Sequence, residues 1–345
     1  MEQKTNVLVT GGSGFLGAHC ILQLLRQGYS VKTTVRSINQ KSKVIEKLKN
    51  GGISTFEDLS FIETDLTKDD NWPAAVKDCK YVLHTASPFP STVPKDEREL
   101  IVPAVEGTRR VLLAARDAKV QRIVVTSSFA AVGYGYAEKK RVFTEKDWTR
   151  LNSEVPVLAY QKSKTLAEKE AWDFIAKQGK GLELAVINPV GILGPVLSPE
   201  TSTSTESIQK LLEGMPGVPN ISFSVVDVRD VADLHIRAML SPAANGERFL
   251  AVTGEPLSVK EMADILKSHL GDAAKKVPSR VLPDWLVKFA ALLDPTLKSV
   301  VPGLGKHPAA SNQKAKDILK WAPGSNEEAV LATAESLFAF GLIKR

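Results

Sequence analysis

Residues 6–20, "NVLVTGGSGFLGAHC", decide how the rest of the chain is read. A short apolar run, Val7 to Val9, is followed by Gly11, Gly14 and Gly17 and then by a helical pattern that stops at Gly28. So short and continuous a run predicts a parallel strand covered on both faces. Glycine suits the junction after it, because the chain must turn sharply, admit a pyrophosphate to its backbone and pack the helix close to the strand. The helix N-terminus then offers free N–H groups and a positive dipole end to the phosphates. Three glycines in a short window are a weak signal; between a strand and a helix they predict a dinucleotide-binding turn.

Outward from that turn, "SVKTTVR" (30–36), "LSFIETDL" (59–66), "KYVLHTAS" (80–87), "RIVVTSS" (122–128) and "LELAVINP" (182–189) read as further buried strands. Helical stretches such as "FLGAHCILQLLRQG" (15–28) and "ELIVPAVEGTRRVLLAARDAK" (99–119) separate them. This alternation predicts an α/β fold, a Rossmann doubly wound parallel sheet with a smaller C-terminal substrate lobe. The expected division is a dinucleotide-binding Rossmann domain over 1–188, rejoined by 222–256, and a substrate lobe over 189–221 and 257–345. "SPETSTSTES" (198–207) is expected to be a polar loop or mobile lid. "LPDWLVKFAALL" (282–293) and "NEEAVLATAESLFAF" (326–340) are expected to be helices.

Of the 345 residues 43% are hydrophobic and 24% charged, an ordinary globular balance. Cys20 and Cys79 have no metal-type spacing, which suits a reducing compartment without disulfides. No apolar run is long enough to span a bilayer, and the N-terminus lacks a signal-peptide core, so a cytoplasmic protein is expected. The net charge of +6 is spread along the chain rather than clustered with aromatics, which argues against a nucleic-acid partner. A monomer or a homodimer fits equally.

Arg36 stands at the end of the second predicted strand, where a carboxylate would hold the ribose 2′-hydroxyl of NAD. A guanidinium instead binds a 2′-phosphate, and Lys43 follows a turn or two later, so the cofactor read here is NADP(H). Asp65 ends the third strand, where it would either accept the adenine amino group or cap the next turn.

Reduction of a carbonyl leaves charge on oxygen that a proton must quench, and tyrosine supplies one best when an ammonium stabilises its phenolate. Two Tyr-x-x-x-Lys pairs occur, Tyr136–Lys140 and Tyr160–Lys164. The second begins a segment of helical periodicity ended by Gly179, which puts both side chains on one face. The first lies among Gly133 and Gly135 and is expected to be a loop without fixed geometry. A hydroxyl partner belongs at a strand end; Ser128 is favoured, with Ser127 the alternative. Phe89 and Phe129, each just after a strand, would line a substrate pocket or serve as core. His84 reads as a core group, and Asp227, Arg229, Asp230 and His235 as local pairing and capping; no metal site is expected.

The ordered set "TGGSGFLG", "TVR", "VLHTASPF", "PAVEGT", "VVTSSFAAV", "YQKSKTLAE" and "INPVGILGP" resembles the extended short-chain dehydrogenase/reductases. Within them it is most similar to the dihydroflavonol-reductase and cinnamoyl-CoA-reductase group, and there to microbial NADPH-dependent aldehyde and ketone reductases. The resemblance implies Ser128, Tyr160 and Lys164 as the catalytic set, with Tyr160 and Lys164 also touching the cofactor. It further implies NADP contacts from Gly11, Gly14, Phe15, Leu16 and Gly17, and from Arg36, Lys43, Asp65, Leu66 and Thr85. Pro189, Gly191, Ile192 and Ser204 complete that implied set. The chain departs from the plant enzymes: the cinnamoyl-CoA string of asparagine, tryptophan, tyrosine and cysteine is replaced by "PVLAYQKSK", and no flavonoid-gripping residue is evident. A small-molecule aldehyde or ketone is therefore the expected substrate. An epimerase or dehydratase, a hydroxysteroid-type dehydrogenase and an NADP-sensing regulator are the alternatives.

Overall fold

The computed structural model describes residues 4–88, 96–138, 140–200, 203–293 and 300–344, with the backbone alone at 203 and 204. Strands β1 (Asn6–Thr10), β2 (Ser30–Val35), β3 (Leu59–Glu63), β4 (Tyr81–His84), β5 (Arg122–Thr126), β7 (Glu183–Pro189) and β11 (Glu247–Ala251) form one seven-stranded sheet. Its order is β11-β7-β5-β4-β1-β2-β3, and every pairing is parallel. The six strands expected from the first half of the chain are all present, each fully or partly buried as sandwiching helices require.

Alternation along β1 assigns the two layers. Val7 and Val9 point into a core made with α1 (Phe15–Arg26), α2 (Lys41–Asn50) and α7 (Val228–Leu240), whereas Leu8 points to the opposite one. That second core takes α3 (Trp72–Val76), α4 (Arg98–Asp117) and α5 (Ala159–Gln178) through Trp72, Val111, Leu112 and Phe174. Arg122 is buried beneath α7. Its Nη1 donates to the carbonyls of Ala238, Met239 and Ser241 at 3.0, 3.0 and 2.5 Å, and its Nε donates to Glu183 at 2.8 Å. The orphan carbonyls at the end of α7 are thus satisfied by a charged donor.

The remaining strands are short: β6 (Lys140–Phe143) pairs with β13 (His307–Ala310), β8 (Gly191–Leu193) with β10 (Val225–Asp227), and β9 (Ser222–Phe223) with β12 (Leu257–Ser258). A separate apolar cluster holds α6 (Thr203–Glu213), α8 (Val259–Leu270) and α11 (Asn326–Ala339) together through Ile208, Leu211, Leu212, Met262, Leu266, Val330 and Leu337. Helix α9 (Asp284–Leu293) buries Val287 and Ala291.

Here one expectation fails. The polar stretch 198–207 is not a loop throughout, because α6 starts at Thr203 within it. Serine and threonine are mediocre helix formers, but Ile208, Leu211 and Leu212 give the helix an apolar stripe, and its burial outweighs propensity.

Helix α10 (Gln313–Leu319) and Trp321, close to the C-terminus, pack into the core around β1 rather than into the second cluster. Trp321 is 1% exposed and its Nε1 donates to the Asp230 carbonyl at 3.0 Å. Both cysteines are free and buried, and burial pushes both thiols above their ordinary range. Among the described residues no helix is long and apolar enough to cross a membrane. Trp321→Ala is expected to cost about 3–5 kcal/mol, read as a lowered urea midpoint, since it empties a core site at the junction of α7 and α10.

Candidate functional site

The C-terminal ends of β1, β2, β3, β4, β5 and β7 converge on one edge of the sheet, where parallel α/β folds bind ligands. At β1 the backbone admits no side chains. A Cβ on Gly17 would lie 2.4 Å from the Gly11 carbonyl oxygen, and one on Gly12 would lie 2.1 Å from Thr33 Oγ1. Gly12 is a requirement that sequence reading passed over, visible only once β2 lies alongside. Gly14 is the N-cap of α1, with no side-chain cap and no acidic residue in the first turn. Beyond the Gly11 oxygen at 3.2 Å a Cβ at Gly14 would meet nothing, so the cradle is open on its outer side. Uncapped N–H groups, a positive dipole end and an open backbone fit the pyrophosphate of a dinucleotide. Phe15 and Leu16 open α1 beside it, and Thr85 ties β4 to β1 through Oγ1 donating to the Thr10 carbonyl at 2.6 Å.

Arg36 follows β2 directly and is exposed, as a 2′-phosphate ligand requires. Lys43 on α2 lies 3.3 Å from Glu200, and Lys47, one turn on, donates to the same carboxylate at 2.8 Å and to the Ser13 carbonyl at 2.6 Å. The hydrogen bond from Lys47 is the main cause holding the Glu200 carboxyl below its ordinary range. Lys47 was not singled out from sequence, although its i, i+4 spacing from Lys43 was visible. Asp65 Oδ1 accepts from Thr67 N and Oγ1, both at 2.8 Å, so it caps that turn. Leu66 packs over Gly107. Pro189 ends β7, and Gly191 and Ile192 begin β8, two residues on along the same edge. Ser204 lies in the first turn of α6, beyond the described side chains, and Phe89 lies outside the described residues.

The hydroxyl, phenol and ammonium predicted from sequence meet at the end of β5. Ser128 caps a short turn, its Oγ accepting from Ala130 N at 3.1 Å, and its side chain stands against the Tyr160 phenol and favours loss of the phenol proton. Tyr160 opens α5, whose first turn is closed by Gln161 accepting from Leu158 N at 2.8 Å. Burial pushes the Tyr160 phenol up, and Ser128 opposes that rise. Burial lowers Lys164 to about 8, with the charge of Glu168 acting the other way. Ser127 points elsewhere, donating from Oγ to Glu168 at 2.5 Å, as successive residues at a strand end must. Lys164 shares a cavity of about 20 Å3 with His84, Thr108, Ser127 and Glu168, room for about one water molecule.

His84 is a core group. Its Nδ1 is 2.8 Å from Thr10 Oγ1, and burial, reinforced by Lys164, lowers it to about 3. Asp227 caps α7 and pairs with Arg229 at 2.7 Å, Asp230 accepts from Gly324 N at 2.9 Å, and His235 bonds Thr126 at 2.7 Å. Phe129 packs edge-on against Tyr134 and Phe143 at 6.1 and 5.5 Å, a satellite core position that leaves part of the ring exposed. Among the described residues no group of three acidic, histidine or cysteine side chains could hold a metal ion.

Tyr136 corrects one expectation. Its segment is irregular but not loose. The ring packs edge-on against Phe143 at 5.1 Å, lies under Arg141 and Arg150 at 4.6 and 4.2 Å, and its hydroxyl donates to the Trp148 carbonyl at 2.9 Å. It is unfit for proton transfer because it is committed to structure, while Lys140 stands exposed on β6. Aromatic packing among Phe129, Tyr136 and Phe143 fixes what a glycine-flanked sequence left open.

This sheet order, cradle and hydroxyl–phenol pair define a Rossmann-fold oxidoreductase of the extended short-chain dehydrogenase/reductase type. The chain belongs to the 3-beta hydroxysteroid dehydrogenase/isomerase family, whose sequence profile matches residues 8–279. It is 32% identical over 292 residues to the NADPH-dependent methylglyoxal reductase GRE2 of Saccharomyces cerevisiae, covering 79% of this chain and 85% of that protein. It is 37% identical over 252 residues to cinnamoyl-CoA reductase CAD2 of Medicago truncatula, covering 71% and 75% respectively. The solved structure of yeast methylglyoxal/isovaleraldehyde reductase Gre2 complexed with NADPH matches with a TM-score of 0.81 at 28% identity, over 98% of this chain and 99% of that one.

Tyr136→Phe is expected to lower stability by about 1 kcal/mol in urea denaturation, the worth of one hydrogen bond, and to leave turnover within about twofold of the parent.

Proposed function

We propose that the protein is an NADPH-dependent carbonyl reductase that converts an aldehyde or ketone into an alcohol, reversibly, with Tyr160 as the proton donor. The observation that carries this reading is the Ser128 side chain set against the Tyr160 phenol, at the strand edge beside the glycine cradle. Its relatives are named as NADPH-dependent reductases of small carbonyl compounds and as a cinnamoyl-CoA reductase, which supports the same reaction class.

Bound NADPH supplies the hydride. The cradle from Gly11 to Gly17 would hold its pyrophosphate, Arg36 and the α2 lysines its 2′-phosphate, and Lys164 its nicotinamide ribose. Tyr160, raised by burial, keeps its proton at neutral pH and so has one to give. As charge develops on the substrate oxygen, Ser128 donates a hydrogen bond to it and Tyr160 transfers the proton. Lys164, lowered only to about 8, is still largely an ammonium at pH 7 and offsets the charge left on the phenolate. Phe129, whose exposed part flanks Ser128, is read as part of the substrate wall. The substrate lobe is read over 189–221 and 257–345, less α10 and Trp321, which pack into the core around β1. The same reading makes the protein a cytoplasmic monomer or homodimer with no nucleic-acid partner; two buried free thiols and dispersed charge support it.

The test is a panel of aldehydes and α-keto esters with both cofactors, plus a 3β-hydroxysteroid with NADP⁺ because of the family's name. NADPH is expected to be oxidised faster than NADH on the carbonyl panel. Turnover of the steroid alone would move the protein to the dehydrogenase reading. Tyr160→Phe should lose about 10²–10⁴-fold in kcat while still binding NADPH, and an active variant would remove Tyr160 from the mechanism. Arg36→Asp should swing the NADPH-over-NADH preference by about tenfold or more, because a carboxylate repels the 2′-phosphate that a guanidinium holds.

A further inference from the structure

Glu168 has no part in the proton transfer itself, yet it is the most heavily bonded side chain near it. It is 1% exposed and lies one turn after Lys164 on α5. Its Oε2 accepts from Ser127 Oγ at 2.5 Å and from Asn188 Nδ2 at 2.6 Å; its Oε1 accepts from Trp172 Nε1 at 3.3 Å. Arg248 Nε, from β11, lies 2.8 Å from Oε1, an ionic contact with poor hydrogen-bond geometry, and its guanidinium stacks 3.9 Å over the Trp148 ring. Asn188 Nδ2 also reaches the Ser128 carbonyl at 3.2 Å.

A buried carboxylate needs a counter-charge, and Arg248 alone would meet that need. The other contacts exceed it. Two of them grip the residues that carry and precede Ser128, and the carboxylate lines the same small cavity as Lys164. We propose that Glu168 is a positioning residue: it fixes the strand end that presents Ser128, through Ser127 and Asn188, and supplies the counter-charge that keeps Lys164 an ammonium. This rests on Tyr160 being the proton donor and Lys164 its ammonium partner.

The charged and titratable groups facing Lys164 and Glu168 are few. Among the described residues they are His84 from β4 and Arg248 from β11, with Tyr160 one turn before Lys164 on α5; α4 contributes Ala104 and Thr108 to the cavity. His84, at about 3, stays neutral throughout an ordinary assay range. Burial has already lowered Lys164 to about 8, and Glu168 opposes that lowering. Removing the Glu168 charge therefore sends Lys164 lower still, and the alkaline limb of the reduction profile moves to lower pH.

The test is kcat/KM for carbonyl reduction across pH 6–9.5 in Glu168→Gln and Glu168→Asp. In Glu168→Gln the ratio of kcat/KM at pH 8.5 to that at pH 6.5 should fall about tenfold below the parent's ratio. Glu168→Asp keeps the charge and should keep the ratio. Since Glu168→Gln strands Arg248, the paired change Glu168→Gln with Arg248→Met is measured in parallel, and the same fall is expected there. An unchanged ratio overturns the counter-charge role, and an unchanged ratio with an undiminished rate overturns both roles and leaves Glu168 as scaffolding for a correctly assigned site. Lys164→Met is the control: an undiminished rate there overturns the assignment of the site itself.

Discussion

No atom can be added between the start of α1 and the ends of β1 and β2. The Gly17 backbone abuts the Gly11 carbonyl, so the helix start meets the turn main chain to main chain, and Gly12 abuts the Thr33 side chain on β2. That contact sets the angle at which α1 leaves the sheet and points its uncapped N-terminus across the edge where the other strands end. The strand order then brings β5, and with it Ser128, close to β1 with only β4 between them. Cofactor cradle and hydroxyl pair are neighbours because the sheet is wound outward from β1 in both directions.

Electrostatics organise what packing assembles. Burial acts on Tyr160, Lys164 and His84 in the direction of the neutral form: it raises Tyr160 and lowers Lys164 and His84. Specific contacts then work against it, Ser128 on the phenol and Glu168 on the ammonium. A tyrosine that holds its proton and a lysine that holds its charge near neutrality are the combined result. At the other end of the cradle Glu200 joins the segment after β8 to Lys43 and Lys47 on α2, so the loop leading into α6 is tied to the cofactor side by charge.

The sheet was legible because its strands are covered on both faces and so appear as unbroken apolar runs; β1 to β5 and β7 fall where "NVLVTG" to "LELAVINP" place them. The Ser128–Tyr160–Lys164 set was legible because its spacing coincides with helical periodicity and a strand end. What sequence concealed is long-range. Helix α6 depends on a stripe that finds its partner in α8 and α11, and Tyr136 is ordered by rings and guanidiniums brought from Phe143, Arg141 and Arg150. Glu168 was in plain view within "YQKSKTLAE" but looks like one more helical glutamate until β11 delivers Arg248 and β7 delivers Asn188. Lys47 likewise gains meaning only from Glu200, 153 positions away.

The two cysteines carry a consequence of their own. Cys20 is sealed against the back of the sheet by α1 and Cys79 lies in the opposite core, each held as a neutral thiol by its surroundings. Reactive aldehydes are electrophiles that thiolates attack, and this fold presents no exposed thiol to them. A protein that handles such compounds in this way keeps its sulfur out of reach of its own substrates and is spared the self-inactivation that an exposed thiol invites.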